Sequence, residues 1–170
     1  MSDRVMTLRG RVAAVLGDNI DTDIIYPGRY LNITDRAETE RHLFELAYPD
    51  LRAAIQPGDL IVAAQNFGCG ASREQAAAAI KFAGVGAVLA ASFGRIFFRN
   101  AINLGLPAIV SPTAAARISA GDELEIDPAA GSIRNLTSGA VLAAAPLDPR
   151  AVELLAAGGL IPYLKRKHAA

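Results

Sequence analysis

Three short apolar runs, at residues 60–64, 85–91 and 108–110, are separated by two segments of helical pattern, at 72–82 and 95–104, and this alternation restricts the fold more than any other feature of the chain. Each run is too short for a helix and lacks the polar–apolar alternation of a half-exposed strand, so it belongs to a strand covered on both faces. Strands of that kind, joined through helices, lie parallel in one sheet. The expected fold class is therefore α/β, a layered arrangement with a mainly parallel central sheet and helices on one side.

The rest of the chain extends this frame. Residues 8–16 read as a first strand, 17–29 as a polar loop punctuated by Gly and Pro, and 34–46 as helical. Beyond Pro112 the texture changes. Glu123-Leu-Glu-Ile-Asp127 alternates, Asp127-Pro128 opens a turn and 132–136 returns, which is the pattern of an antiparallel hairpin. Asp148 and Pro149 mark the N-cap and first position of a last helix, which Gly158-Gly159 stops. With no repeat and no linker, residues 1–170 are expected to form one domain, large enough to bury a core without staples.

Seventeen basic residues balance 17 acidic ones, so no net field draws nucleic acid or an anionic membrane. The basic run Lys165-Arg-Lys-His168 is short and reads as a solvated tail. No apolar stretch reaches the roughly 18 residues needed to cross a bilayer. Residues 1–10 carry neither a secretory apolar core nor a transit-peptide pattern, so the expected location is the cytoplasm. One cysteine, Cys69, cannot close an internal disulfide, nor hold zinc or an iron–sulfur cluster by itself. No metal site is expected in this chain.

The segment Asn66-Phe-Gly-Cys-Gly-Ala-Ser-Arg-Glu-Gln-Ala76 sits where a strand hands over to a helix. Ser72 and Gln75 have the spacing of a capping box, while Gly68 and Gly70 allow a tight turn before it. Arg73 falls in the first helical turn, where the helix dipole disfavours a cation unless an anion pairs with it. Glu74 or a bound carboxylate would be that anion. A dinucleotide fingerprint fails, because its third glycine position holds Arg73 and no acidic residue lies about 20 positions on. A P-loop and a nucleophile elbow fail too, for want of Gly-Lys-Ser/Thr and of flanking glycines around Ser72. Upstream, Asp18, Asp21 and Asp23 lack the glycine of a calcium loop and read as turn and cap formers. Downstream, Arg95, Arg99 and Asn103 stand four apart on one helix face, at the end of a strand where α/β sheets bind ligands, and suit an anion site or a subunit contact.

In this order and spacing, the segments 17–31, 66–76 and 92–107 resemble the small subunits of 3-isopropylmalate dehydratase and of its homoaconitase and dimethylmalate-dehydratase relatives, in the aconitase superfamily. The likeness runs from Asp18 to Pro107 and returns in Gly159-Leu-Ile-Pro-Tyr-Leu164. It implies the family's β/β/α swivelling domain, like the C-terminal domain of aconitase, and a large subunit as partner in a heterodimer or heterotetramer. That subunit would hold a [4Fe–4S] cluster, and this chain no cofactor. The implied reaction is dehydration and rehydration of a 2-hydroxy di-acid, first a 2-alkylmalate such as isopropylmalate. A homoaconitate or 2,3-dimethylmalate hydro-lyase, or a non-catalytic assembly or regulatory partner, are the alternatives.

Carried over by residue, the family's G-S-S-R-E segment falls on Gly70, Ala71, Ser72, Arg73 and Glu74. The resemblance implies that Arg73 grips a substrate carboxylate and that Gly70 and Ala71 lie beside the substrate. Ala71 stands where the family has the serine that acts as base, and alanine accepts no proton. The catalytic role would then pass to Ser72 or to a residue of the partner, or the chain would be catalytically impaired or serve a different reaction. The family's substrate-selecting loop falls on Pro27-Gly-Arg-Tyr-Leu-Asn-Ile-Thr34, with Arg29 and Leu31 as expected substrate contacts. Apolar Leu31 and Ile33 favour a short branched alkyl substituent over a third carboxylate.

Overall fold

The structure is a computed structural model and describes residues 6–169. Residues 1–5 of the segment read for a targeting signal lie outside that range. Among the described residues seven strands form one sheet: β1 (Leu8–Val15), β2 (Leu60–Ala63), β3 (Ala87–Ala90), β4 (Ala108–Val110), β5 (Glu123–Asp127), β6 (Ser132–Asn135) and β7 (Val141–Ala143). Their order is β4-β3-β2-β1-β5-β6-β7. β1 to β4 pair in parallel, whereas β5 joins β1 antiparallel and is followed by β6 and β7 in the same sense. β1 is therefore the seam between a parallel and an antiparallel half.

Burial explains the division. Every residue of β2 and β3 is buried, as unbroken apolar runs between two covering layers require. In β5 only Leu124 and Ile126 are buried, so its alternation leaves the other face towards solvent. Among the described residues there are eight α-helices, α1 (Thr22–Ile25), α2 (Arg36–Arg41), α3 (Leu51–Ala54), α4 (Glu74–Phe82), α5 (Arg95–Asn103), α6 (Ala114–Arg117), α7 (Pro149–Ala157) and α8 (Leu160–Ala169), and one 3-10 turn at Gly28–Tyr30. α2, α4, α5, α7 and α8 pack one upon the next. The small buried face of α4, with Ala76, Ala77 and Ala79, lets its neighbours come close.

Three local expectations change. The helical pattern at 34–46 survives only in α2, because Phe44 is wholly buried at φ 58° and gives its N–H to the Ile25 carbonyl at 2.8 Å. That burial offsets the cost of about 1–2 kcal/mol of left-handed backbone for a residue with a Cβ. The polar loop at 17–29 contains α1 and buries Thr22, Ile25 and Tyr26. The basic tail at 165–168 is exposed as expected, but it is the last part of α8. Asp148 caps α7 as its sequence suggests, accepting the Arg150 N–H at 2.7 Å.

The sheet does not end cleanly at β2 and β3. Phe67 and Phe93 form one more parallel bridge beyond them, and both rings pack on Phe97 of α5. Gly68 follows at φ 81°, and a Cβ there would fall 2.2 Å from Phe97 Cγ. Strain and overlap act together, so Gly68→Ala should destabilise the fold by about 2–4 kcal/mol in urea unfolding. A loss within error of zero would mean that the loop repacks freely around Phe97.

Candidate active site

Beyond the C-terminal ends of β1 and β2, the two following loops remain tied to each other. Asn19 N–H donates to Gln65 O at 2.8 Å, Gly68 N–H to Ile20 O at 2.7 Å, and Thr22 N–H to Cys69 O at 2.8 Å. The buried Thr22 hydroxyl then donates to Ala71 O at 2.9 Å. Two of the three aspartates serve this backbone. Asp18 accepts the Gln65 N–H and Asp21 caps α1 through the Ile24 N–H, both at 2.8 Å.

Asp23 does something else. One of its oxygens accepts the Gly28 N–H at 2.9 Å and Arg73 Nη1 at 2.8 Å. The anion that Arg73 needs is thus neither Glu74 nor, within this chain, a ligand, but a carboxylate fifty residues earlier. Arg73, and then the Gly28 amide, hold the Asp23 carboxyl below the ordinary carboxylate range. A Cβ on Gly28 would stand 3.0 Å from Arg73 Nη2, so the 27–34 loop lies against the guanidinium.

The pairing also moves the start of α4. The helix begins at Glu74 with Arg73 as N-cap in extended conformation and no capping side-chain bond, so the Ser72–Gln75 capping box does not form. The chain is drawn towards Thr22 and Asp23 through residue 73, which leaves Ser72 exposed rather than folded over the helix end. Gly70, Ala71, Ser72 and Arg73 line a 260 Å³ cavity with Thr22 and Arg95. Four of the residues singled out from sequence are therefore brought together.

Arg29 and Leu31 are not among the residues lining that cavity. Arg29 lies 4.9 Å over the Tyr30 ring and pairs with Glu45 Oε2 at 3.2 Å. Tyr30 stacks on His42, with ring centroids 3.7 Å apart, and His42 Nδ1 is 2.9 Å from Glu45 Oε1. His42, then Tyr30 and Arg29, hold the Glu45 carboxyl below its usual range. Leu31 is 36% exposed on the same loop.

Among the described residues no three His, Cys, Asp or Glu side chains stand close enough to hold a metal ion, and no helix is long and apolar enough to cross a membrane. Cys69 is a free, partly buried thiol.

Residues 2–113 match the family model described as the aconitase C-terminal domain. The chain is 56% identical over 162 residues to a 3-isopropylmalate dehydratase small subunit from Moorella thermoacetica, covering 95% of this chain and 97% of the relative. The chain belongs to the aconitase C-terminal domain family. Within that family a methanogen homoaconitase small subunit from Methanothermobacter thermautotrophicus is 49% identical over 93% of the chain and 91% of the relative. The crystal structure of 3-isopropylmalate dehydratase from Methanocaldococcus jannaschii superposes with a TM-score of 0.89 at 43% identity, covering 96% of each chain. The swivelling-domain fold expected from the resemblance is therefore the fold of this chain.

From sequence, Asp23 reads as a turn former and Thr22 as part of a loop. The signal for Asp23 was present as an Arg in a first helical turn without a certain anion. Distance along the chain hid its partner. Stability from a carboxylate of depressed pKa is complete above the ordinary value of about 3.9 and is lost as pH falls through the lower folded value. Asp23→Asn should therefore flatten the decline of stability below about pH 4 in urea titrations. Parallel curves for variant and wild type would show that Asp23 and Arg73 are not coupled.

Proposed function

We propose that this chain is the small subunit of an isopropylmalate-isomerase-type hydro-lyase, converting 2-isopropylmalate to 3-isopropylmalate by loss and return of water. The observation that carries the reading is Arg73, fixed by Asp23 through one nitrogen at a 260 Å³ cavity it shares with Ser72. A guanidinium so held keeps other N–H groups for a substrate carboxylate, and its orientation is set before substrate arrives. Gly70 and Ala71 border the same space. Ser72, free of a helix-capping role, acts in this reading as an alkoxide that takes the proton from the substrate carbon as the neighbouring C–O bond breaks and gives it to the other carbon of the double bond as hydroxide adds in the opposite sense. The large subunit's cluster would supply the Lewis acid that receives the hydroxide. Arg29 and Leu31, on the loop that touches Arg73, face the substrate's alkyl end in this reading.

One cysteine, with no cluster of ligating side chains among the described residues, does not fit an iron–sulfur centre in this chain. The [4Fe–4S] cluster belongs, in this proposal, to a large subunit that binds as a heterodimer or heterotetramer in the cytoplasm. The chain works there as one domain over residues 1–170. Because a homoaconitase small subunit shares half of the sequence, homoaconitate and 2,3-dimethylmalate are the rival substrates. The experiment is to reconstitute the two subunits and assay a panel of these di-acids. The highest kcat/KM is expected with 2-isopropylmalate, and preference for homoaconitate would reassign the substrate.

In the reconstituted enzyme Arg73→Lys should lower kcat/KM at least about tenfold, since an ammonium cannot reproduce a charge-assisted fork worth about 1.5–3 kcal/mol. Unchanged kinetics would make Arg73 structural. Ser72→Ala should abolish turnover while Ala71→Ser does little. If instead Ala71→Ser raises the rate by a factor of about 10²–10⁴, the base belongs at position 71 and the native chain is a weakened enzyme.

A further inference from the structure

A second, larger hollow lies between α5 and the beginning of α7, with a volume of 450 Å³. Its floor is apolar, formed by Phe98, Ile102 and Leu154, and its walls carry Arg95, Arg99 and Arg150. Among the described residues seven other arginines sit within 4.0 Å of a carboxylate, and Arg36, Arg117 and Arg166 do not. Nor, among the described residues, do Arg95, Arg99 and Arg150. Arg150 rests 5.1 Å over the Tyr163 ring, and the one carboxylate in the groove, Asp148, is engaged by the Arg150 amide as the cap of α7. Three exposed arginines thus border an apolar trough with one carboxylate, the capping Asp148, among them, which leaves the groove with a net positive charge.

We propose that this groove receives an acidic segment of the large subunit, one that presents Asp or Glu side chains to the arginines and an apolar side chain to Phe98 and Leu154. The inference rests on the reading of the chain as a small subunit. Two further observations favour that occupant. Arg95 lines both this groove and the active-site cavity, and Ile96, 51% exposed, borders the cavity beside it. A site completed by another chain has that chain at its mouth, and the groove shares a wall with the mouth. A free inorganic anion would answer the charges but leave the apolar floor uncovered, whereas a peptide segment satisfies both. Arg99 and Arg150 are then docking residues outside the chemistry.

The test uses the full chain with reconstituted large subunit. Wild type, Arg99→Gln/Arg150→Gln and Arg99→Glu/Arg150→Glu are titrated against it at low and high salt, after thermal unfolding confirms that each variant is folded. Charge reversal should weaken association at least about tenfold, the neutral pair should fall between, and the salt dependence should flatten in that order. Turnover at saturating subunit should stay within about twofold of wild type, because the loss lies in docking. Equal affinities for all three chains, with wild type active, overturn the groove alone. So does a change confined to self-association of the isolated chain, or to its binding of inorganic phosphate. If wild type neither binds the large subunit nor becomes active with it, the small-subunit reading itself fails.

Discussion

Two loops that leave neighbouring parallel strands stay hydrogen-bonded to each other well past the sheet, from Asn19 and Gln65 to Thr22 and Ala71. Each such bond contributes only about 0.5–1.5 kcal/mol net, yet leaving any of these groups unpaired in a crowded turn costs more. The backbone is bent to make them: Asn19, Asn66, Gly68 and Gly70 all have positive φ, and the two asparagines bond side chain to side chain at 3.0 Å. Everything at the cavity depends on this zipper. It sets where residues 70–73 turn, and so which side chains reach solvent and which reach Asp23.

Arg73 shows how function and local preference compete. A capping box at Ser72 and Gln75 would satisfy the first amides of α4, and its absence costs the helix about 1 kcal/mol of capping. The ion pair with Asp23 takes its place and aims a guanidinium rather than closing a helix end. Ser72 is released by the same shift. A chain selected only for helix stability would keep the cap, so the arrangement is consistent with an anion-binding corner that a second protein covers.

The parallel half of the fold was legible because Leu60-Ile-Val-Ala and Ala87-Val-Leu-Ala are apolar without alternation, a pattern that only two-sided burial rewards. The hairpin of β5 and β6 was legible from alternation and a turn, and α7 from its Asp-Pro start. What escaped were short elements whose stability comes from packing: α1, α3, α6 and β7 are each too brief to carry a periodic signal. Phe44 escaped for a related reason, since its left-handed backbone is paid for by a buried ring and a bond to Ile25, both distant in sequence.

For the site, the sequence by itself determined the inventory: a Gly-rich strand-to-helix turn, an arginine in need of an anion, a lone cysteine that cannot hold a metal cluster, and a family motif with alanine at one serine position. Local chemistry suffices for those, because each follows from residue type and spacing. Only the tertiary structure decided that Asp23 is the anion, that Ser72 is not a cap, and that Arg95, Arg99 and Arg150 face one groove. Those facts depend on which loops the sheet order brings side by side, and a pairing across fifty residues leaves no mark on the neighbours of either partner.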